Sequence, residues 1–339
     1  MSRRVVCAIT AMAAIILSLS APLNAAPRKS FGSDNSKADN TKAVMWEDPG
    51  DISARDLFYG SGGEAHSPKG PFTFEKEDMN GTNPKFVVHD SDGVKWKVKI
   101  GEEAGPETVA SRLVWAVGYF TDEDYFMPEF HADKMPHHLK RGQNHVEADG
   151  TIRNVRLKRY IKGEEKLGSW SWKDSPFTGT KEFNGLRLMM ALINNWDLKD
   201  ENNEVDRVDG KLIYMVSDLG ASFGTDGRSV TRADSKGNLD AYMRSKFIAA
   251  SSPGSVDFNV PGRPSFVHLV EAPEYVARLH MEWIGKQIPI EDARWIGHLL
   301  SQITPKQIED AFRAAGYSPD QVGSFANVVE ERIGQLIRL

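Results

Sequence analysis

The sequence predicts an α+β fold, with a small β-rich half carrying one helix and a larger helical half after it. Two patterns carry this expectation. Residues 71–100 alternate apolar and polar positions in three short runs divided by turn residues, whereas from residue 265 onward the apolar positions recur at helical spacing. At 339 residues the chain is long enough for two lobes, each with its own core.

Taking the segments in order, "MSRR", then "VVCAITAMAAIILSLSAPL", then "NAAP" place charge, an apolar run and small residues in succession, so residues 1–26 read as a signal peptide cut near Ala25 or Ala26. The rival reading is an uncleaved anchor, since the run approaches spanning length. The single cysteine, Cys7, lies within that run and would leave with it, which excludes cysteine nucleophiles and cysteine metal sites from the mature chain. Residues 27–50 are polar and aperiodic and read as a flexible linker, with order expected from "DISARDLFYG". A net charge of −5 without a basic stripe argues against a nucleic-acid binder.

The β region reads "PFTFEKED", "KFVVHD" and "VKWKVKI", with "MNGTNP" and "SDG" as turns, which is an antiparallel meander. "GPETVASRLVWAVGYF" follows as a helix: Pro106 suits a first turn, and Val109, Leu113 and Val117 recur every four residues. "RNVRLKRYIKGE" (153–164) alternates again as a strand. "KEFNGLRLMMALINNW" places Phe183, Leu186, Met190 and Ile193 on one stripe of a buried helix expected to run to Trp196. "KLIYMVSDLG" reads as a buried strand entering Asp-Leu-Gly, and the helical remainder includes "SFVHLVEAPEYVARLHMEWIGKQI" and three further segments to the C-terminus. The domain expectation is therefore 1–26 leader, 27–50 linker, 51–165 β-rich lobe and 166–339 helical lobe.

Four features then fall in chain order: a strand lysine at Lys99 (or Lys97), a helix acid at Glu107, the loop "DLKDEN" from Asp197 to Asn202, and "DLG" from Asp218 to Gly220. Each alone has a plain structural reading. Asp197 suits a helix end, Asp218 a strand-ending turn, the lysines a solvated strand face, and Glu107 the first turn of a helix. Together they are the residue types that phosphoryl transfer needs: a cation for the phosphates, ligands for magnesium, and a carboxylate for the attacking hydroxyl. Other clusters compete weakly. His131, His137 and His138 match no zinc spacing, Trp170 and Trp172 suit a core as well as a sugar platform, and the glycines of "YGSGGEAHSPKG" are followed by no helix.

In this order the residues resemble the protein-kinase-like superfamily. "WDLKDEN" is similar to the kinase catalytic loop, "SDLG" to its Asp-Phe-Gly, and "VKIGEE" to the lysine strand of phosphoinositide kinases. Asn195-Trp196 stands where His-Arg is usual, and no Gly-x-Gly-x-x-Gly loop is present. The departures resemble those of the phosphoinositide, HipA-type and secreted Golgi kinases. The resemblance implies a two-lobed kinase-like fold with a nucleotide cleft, ATP and magnesium as cofactors, and a hydroxyl-bearing acceptor. It further implies Lys99, Glu107, Gly81 and Thr82 at the nucleotide, Asn202 and Asp218 on the metal, Asp197 on the acceptor and Lys199 at the developing charge. A catalytically silent binding module of the cell envelope and an adenylyl transferase are the alternatives. The expected location is periplasmic or secreted.

Overall fold

The computed structural model describes residues 42–81, 83–225, 235–260 and 281–339. The leader segment, Thr82 and most of the helix expected from residue 265 lie outside the described residues. The chain divides into two compact units, Met1–Pro27 with Asn80–Thr82, and Arg28–Met79 with Asn83–Leu339. In the smaller unit Gly81 occupies a bend with φ 68°, a left-handed conformation suited to glycine. The larger unit holds every element that follows.

Its main sheet has six strands in the order β5-β7-β4-β3-β2-β6. β2 (Phe72–Glu77), β3 (Lys85–His89) and β4 (Lys95–Ile100) form the antiparallel meander, and β7 (Ile152–Arg159) joins β4 antiparallel. β5 (Asp124–Phe130) and the short β6 (Ala132–Asp133) close the two edges. Alternation divides the sheet by chemistry. Phe86, Val88, Trp96, Val98, Val155 and Leu157 point to one face and form a core with Phe72, Tyr125 and Phe130. Register places Lys85 beside Lys99, Lys99 beside Arg156, and Lys97 beside Lys158, so the opposite face is a row of cations.

That face turns toward α1 (Ala104–Ala116), whose Val109 and Leu113 are fully buried. The helix packs on β5, β7 and the later helix α5 (Pro305–Ala314), which fixes Glu107 beneath the sheet. The second lobe is built around α2 (Lys181–Leu192), capped by the Thr180 side chain, which accepts from the Phe183 N–H. Buried residues cover this helix all round, including Phe183, Leu186, Met189 and Met190. β9 (Asn203–Val208) and β10 (Lys211–Val216) form a hairpin in a four-stranded sheet with β1 (Lys42–Val44) and β8 (Glu165–Gly168). α3 (Leu239–Arg244), the small sheet β11-β12-β13 (Ile248–Ser251, Ser255–Phe258, Ile288–Pro289), α4 (Ile290–Leu300) and α6 (Pro319–Ile337) complete it. Pro305 and Pro319 sit just inside α5 and α6, each preceded by a capping box at Thr304 and Ser318.

Three expectations change. Residues 42–50 are not a loose arm: β1 pairs in parallel with β10, Met45 is buried, and Trp46 donates to the Val117 carbonyl at 2.7 Å. An edge strand this short has too few alternating positions to stand out from a polar segment. The buried helix ends at Leu192 rather than Trp196, because Asn194 adopts φ 57° and the Asn195 N–H returns to the Met190 carbonyl at 2.9 Å. That is a Schellman ending, with asparagine in the left-handed position where glycine is usual. Residues 282–285 form a single 3-10 turn rather than continuing a helix into Lys286.

Candidate active site

The tight turn after β4 brings two acids of α1 and its entry under the strand that carries Lys99. Lys99 Nζ lies 2.9 Å from Glu107 Oε2 and 2.7 Å from Glu103 Oε2, and it donates to Asp218 Oδ1 across the lobes. Arg156, the register neighbour of Lys99 on β7, holds the other oxygen of Glu107 at 2.7 Å. Lys236 holds Glu103 Oε1 at 2.5 Å, and the Asn83 amide donates to Glu103 Oε2 at 2.5 Å. Glu103, Glu107 and Asp218 therefore interleave with Lys99, Arg156 and Lys236 in alternating charge. Such a cluster is tolerated away from water because each ion has an opposite partner and hydrogen bonds.

Burial works against the Lys99 charge, but the three carboxylates around it hold its pKa well above that of an ordinary amine. Burial likewise opposes ionisation of Asp218 and Glu103, yet Lys99 outweighs it and keeps both carboxyls below their usual range. Lys97 lies apart from this cluster: its Nζ is 3.2 Å from Asp78 and over the Tyr160 ring. For Lys85, next to Lys99 on β3, the charges of Asp78 and Asp218 offset burial only in part, and burial pushes its pKa down to about 8.

Asp218 lies two residues past the last residue of β10, after Ser217, and adopts φ 54°, uncommon for a residue with a side chain. Its side chain is 44% exposed, and Oδ2 has no protein partner among the described residues while Oδ1 faces Lys99. The glycine two residues on has a steric reason. A Cβ at Gly220 would stand 2.5 Å from the Glu103 Cβ, so only glycine lets the Asp-Leu-Gly turn pass so close to the entry of α1.

The "DLKDEN" loop is tied to this turn through the backbone. The Asn202 carbonyl accepts from the Ser217 N–H at 2.8 Å and the Ser217 hydroxyl at 3.1 Å, so Asn202 and Asp218 stand at the open end of the same hairpin. The Asn202 amide donates to the Asp197 carbonyl at 2.6 Å, and Asn195 Oδ1 accepts from the Asp197 N–H at 2.8 Å. Trp196 takes no part in the cleft: it is buried and donates to the Ser235 carbonyl. Lys199 Nζ is 3.9 Å from Asp197 Oδ1, a loose pairing.

Of the residues singled out in the sequence, the structure brings Lys99, Glu107 and Asp218 into contact, and it joins Asp197 to Asn202 within one loop. Thr82 lies outside the described residues, and Gly81 belongs to the smaller unit. Glu103, Arg156 and Lys236 were not foreseen in the cluster. Glu103 stood in the quoted "VKIGEE", and only the turn geometry selects it beside Glu107. Trp170 and Trp172 are core residues with ring centroids 4.9 Å apart. Among the described residues the acid cluster able to hold a metal is Glu103, Glu107 and Asp218, with no histidine in it. Lys99 already neutralises that group. The free oxygens that suit magnesium are Asp218 Oδ2 and the Asn202 side-chain oxygen, both hard donors. No described helix is long and apolar enough to cross a membrane.

No protein-family model matches the chain, and no curated protein matches its sequence. Ten solved chains match its structure. A proinflammatory kinase of Helicobacter pylori, CtkA, is 11% identical with a TM-score of 0.44, over 78% of this chain and 96% of its own. A Golgi casein kinase is 9% identical with a TM-score of 0.37, over 79% of this chain and 71% of its own. The likeness to both lies in the α+β architecture.

Proposed function

We propose that this chain is a magnesium-dependent phosphotransferase that moves the γ-phosphoryl group of ATP to a hydroxyl acceptor outside the cytoplasm. The observation that carries the reading is the buried Lys99, braced by Glu107 and reaching Asp218 at the Asp-Leu-Gly turn. The ammonium has three donors, and here they meet acids from three separate places in the chain. Lys99 is held by α1, by the entry to α1 and by the other lobe at once, which poises its ammonium at the junction where phosphates would enter.

In this reading Lys99 clamps the phosphates, while Glu107 fixes Lys99 and is itself fixed by Arg156. Asp218 and Asn202 would hold magnesium, which when bound supplies charge neutralisation for the phosphates. Asp197 orients the acceptor hydroxyl and takes its proton as the oxygen bonds to the γ-phosphorus. The bond from that phosphorus to the β–γ bridging oxygen breaks, and ADP departs. Lys199 offsets charge developing on the transferred group. The adenylyl-transfer and silent-module readings differ from this in one assay. ATP labelled separately at the α- and γ-phosphates is incubated with the protein and candidate acceptors: γ label on product supports the reading, α label replaces it with adenylyl transfer, and neither label leaves a binding module. The extracytoplasmic location rests on the order of residues 1–26, and a chain recovered only in the cytoplasmic fraction, still beginning at Met1, would overturn it.

A further inference from the structure

A second concavity of about 250 Å³ lies between the β9–β10 hairpin, the 120–123 segment and the end of β7. None of Lys99, Glu107, Asp197 or Asp218 lines it. Its walls are apolar, from Phe120, Ile161, Ile213 and Met215, yet one wall presents the Asp206 carboxylate. Asp206 is 1% exposed, and among the described residues neither of its oxygens has a hydrogen-bond partner. The Thr121 hydroxyl on the same lining is likewise unpartnered among the described residues. A buried polar group left without a partner costs free energy comparable to a lost hydrogen bond or more, so two in one cavity require an explanation.

The charge around the cavity decides what could supply the partner. Its cations are already engaged: Lys158 with Asp122 and Glu204, Arg159 with Glu123 at 3.1 Å, and Lys211 with Glu47 at 2.7 Å. Asp206, Glu164 and Asp209 are lining acids with no ion-pair partner among the described residues, so the cavity carries uncompensated negative charge. A hard metal ion needs carboxylate oxygens that converge on one point, and among the described residues the acids that do so are Glu103, Glu107 and Asp218, outside this cavity. A flat cation with paired N–H donors meets both free oxygens of one carboxylate at once and buries its body against the walls.

We propose that this cavity is a receptor for a small organic cation of the amidinium or guanidinium class, gripped by Asp206 and sandwiched between the hairpin and the 120–123 segment. The inference stands independently of the phosphotransfer reading. The groups facing Asp206 are consistent with it. Burial raises its carboxyl to about 7, Glu204 and Glu164 push the same way, and Lys166 and Lys158 oppose. An arriving cation would restore the ionised form.

Benzamidinium is the probe and benzamide its neutral isostere, titrated calorimetrically into the full chain. Benzamidinium is expected to bind saturably at pH 8, with benzamide at least about tenfold weaker, because a charge-assisted pair exceeds a neutral one by this much. Affinity should fall from pH 8 to pH 6 as Asp206 takes up a proton in the free protein. Asp206→Asn should lose about ten- to a hundredfold, and Ile213→Trp, which fills the cavity from the neighbouring strand, should abolish binding if the first variant does not fold. Equal binding of benzamide, undiminished binding to a folded Asp206→Asn, a flat pH profile, or the absence of saturable heat with the native chain would each overturn the proposal.

Discussion

Lys99→Met tests the charge cluster most directly, because methionine keeps the length of the stem and removes only the ammonium. Three carboxylates would lose their common partner. They would not be left equally exposed to the loss. Glu107 keeps Arg156 at 2.7 Å and Glu103 keeps Lys236 at 2.5 Å, while the Asp218 side chain, 44% exposed, can turn to water. Breaking one partner of a buried pair usually costs about 3–5 kcal/mol, and the surviving cations place this case near the lower end, about 3 kcal/mol. That is a large share of the roughly 5–15 kcal/mol that holds a typical domain folded. The sign with pH follows from the lowered folded-state pKa values of Asp218 and Glu103. Their stabilising contribution in the native chain is present above the unfolded carboxyl range and fades as pH falls through their lower folded values. The variant lacks that contribution, and protonation relieves the crowding of its remaining carboxylates. The gap between native and variant should therefore be widest near pH 7 and close progressively below about pH 4. Urea unfolding followed by tryptophan fluorescence measures it, with Lys97→Met as the control. Among the described residues Lys97 has Asp78 as its ion-pair partner, at 3.2 Å, and it is 26% exposed, so its loss should cost under about 1 kcal/mol. A Lys99→Met midpoint equal to that of the control at pH 7, or a gap at pH 3 as wide as that at pH 7, would refute the account of the cluster.

Asp197→Asn should leave Mg-ATP binding nearly intact, read by thermal shift, and lower phosphoryl transfer by about two to four orders of magnitude, because a positioned acid or base acts chiefly in the transition state. Asp218→Ala should remove most of the thermal stabilisation by Mg-ATP, which amounts to roughly 2.7 kcal/mol at a hundredfold excess of ligand over Kd; retention of the shift with magnesium still required would place the metal elsewhere. Gly220→Ala should destabilise by about 1–3 kcal/mol, the usual cost of overpacking, and weaken Mg-ATP binding as Glu103 is displaced; a wild-type urea midpoint would refute the close approach. Lys85, lowered to about 8, opposes folding below that value and less so as pH rises toward the ordinary lysine range, so Lys85→Met should unfold at higher temperature than the native chain at pH 7, with the difference shrinking by pH 10.

The local elements were legible in the sequence because their signals are local. Alternation in "KFVVHD" and "VKWKVKI" marked β3 and β4, and the proline and apolar spacing of residues 105–117 marked α1, since backbone period and side-chain burial are set by neighbours in the chain. The residue types of the candidate site were legible for the same reason: "DLKDEN" and "DLG" are each short and contiguous. What the tertiary structure alone decided were relations between distant positions. Lys97 and Lys99 share one face of one strand, so periodicity cannot separate them, and the choice falls to the turn that sets Glu103 and Glu107 under Lys99 but leaves Lys97 to Asp78. Arg156 looked like any polar residue of an alternating strand until register placed it beside Lys99. β1 could not announce itself in residues 27–50, because a short edge strand acquires its meaning from the β10 it pairs with. Asp206 is the clearest case: within "NNEVDRVDG" it is one acid among several, and only the closure of the hairpin against the 120–123 segment buries it without a partner. Sequence spacing encodes which residues share a face of one element. Which faces meet, and so which charges must compensate one another, is set by packing across the whole chain.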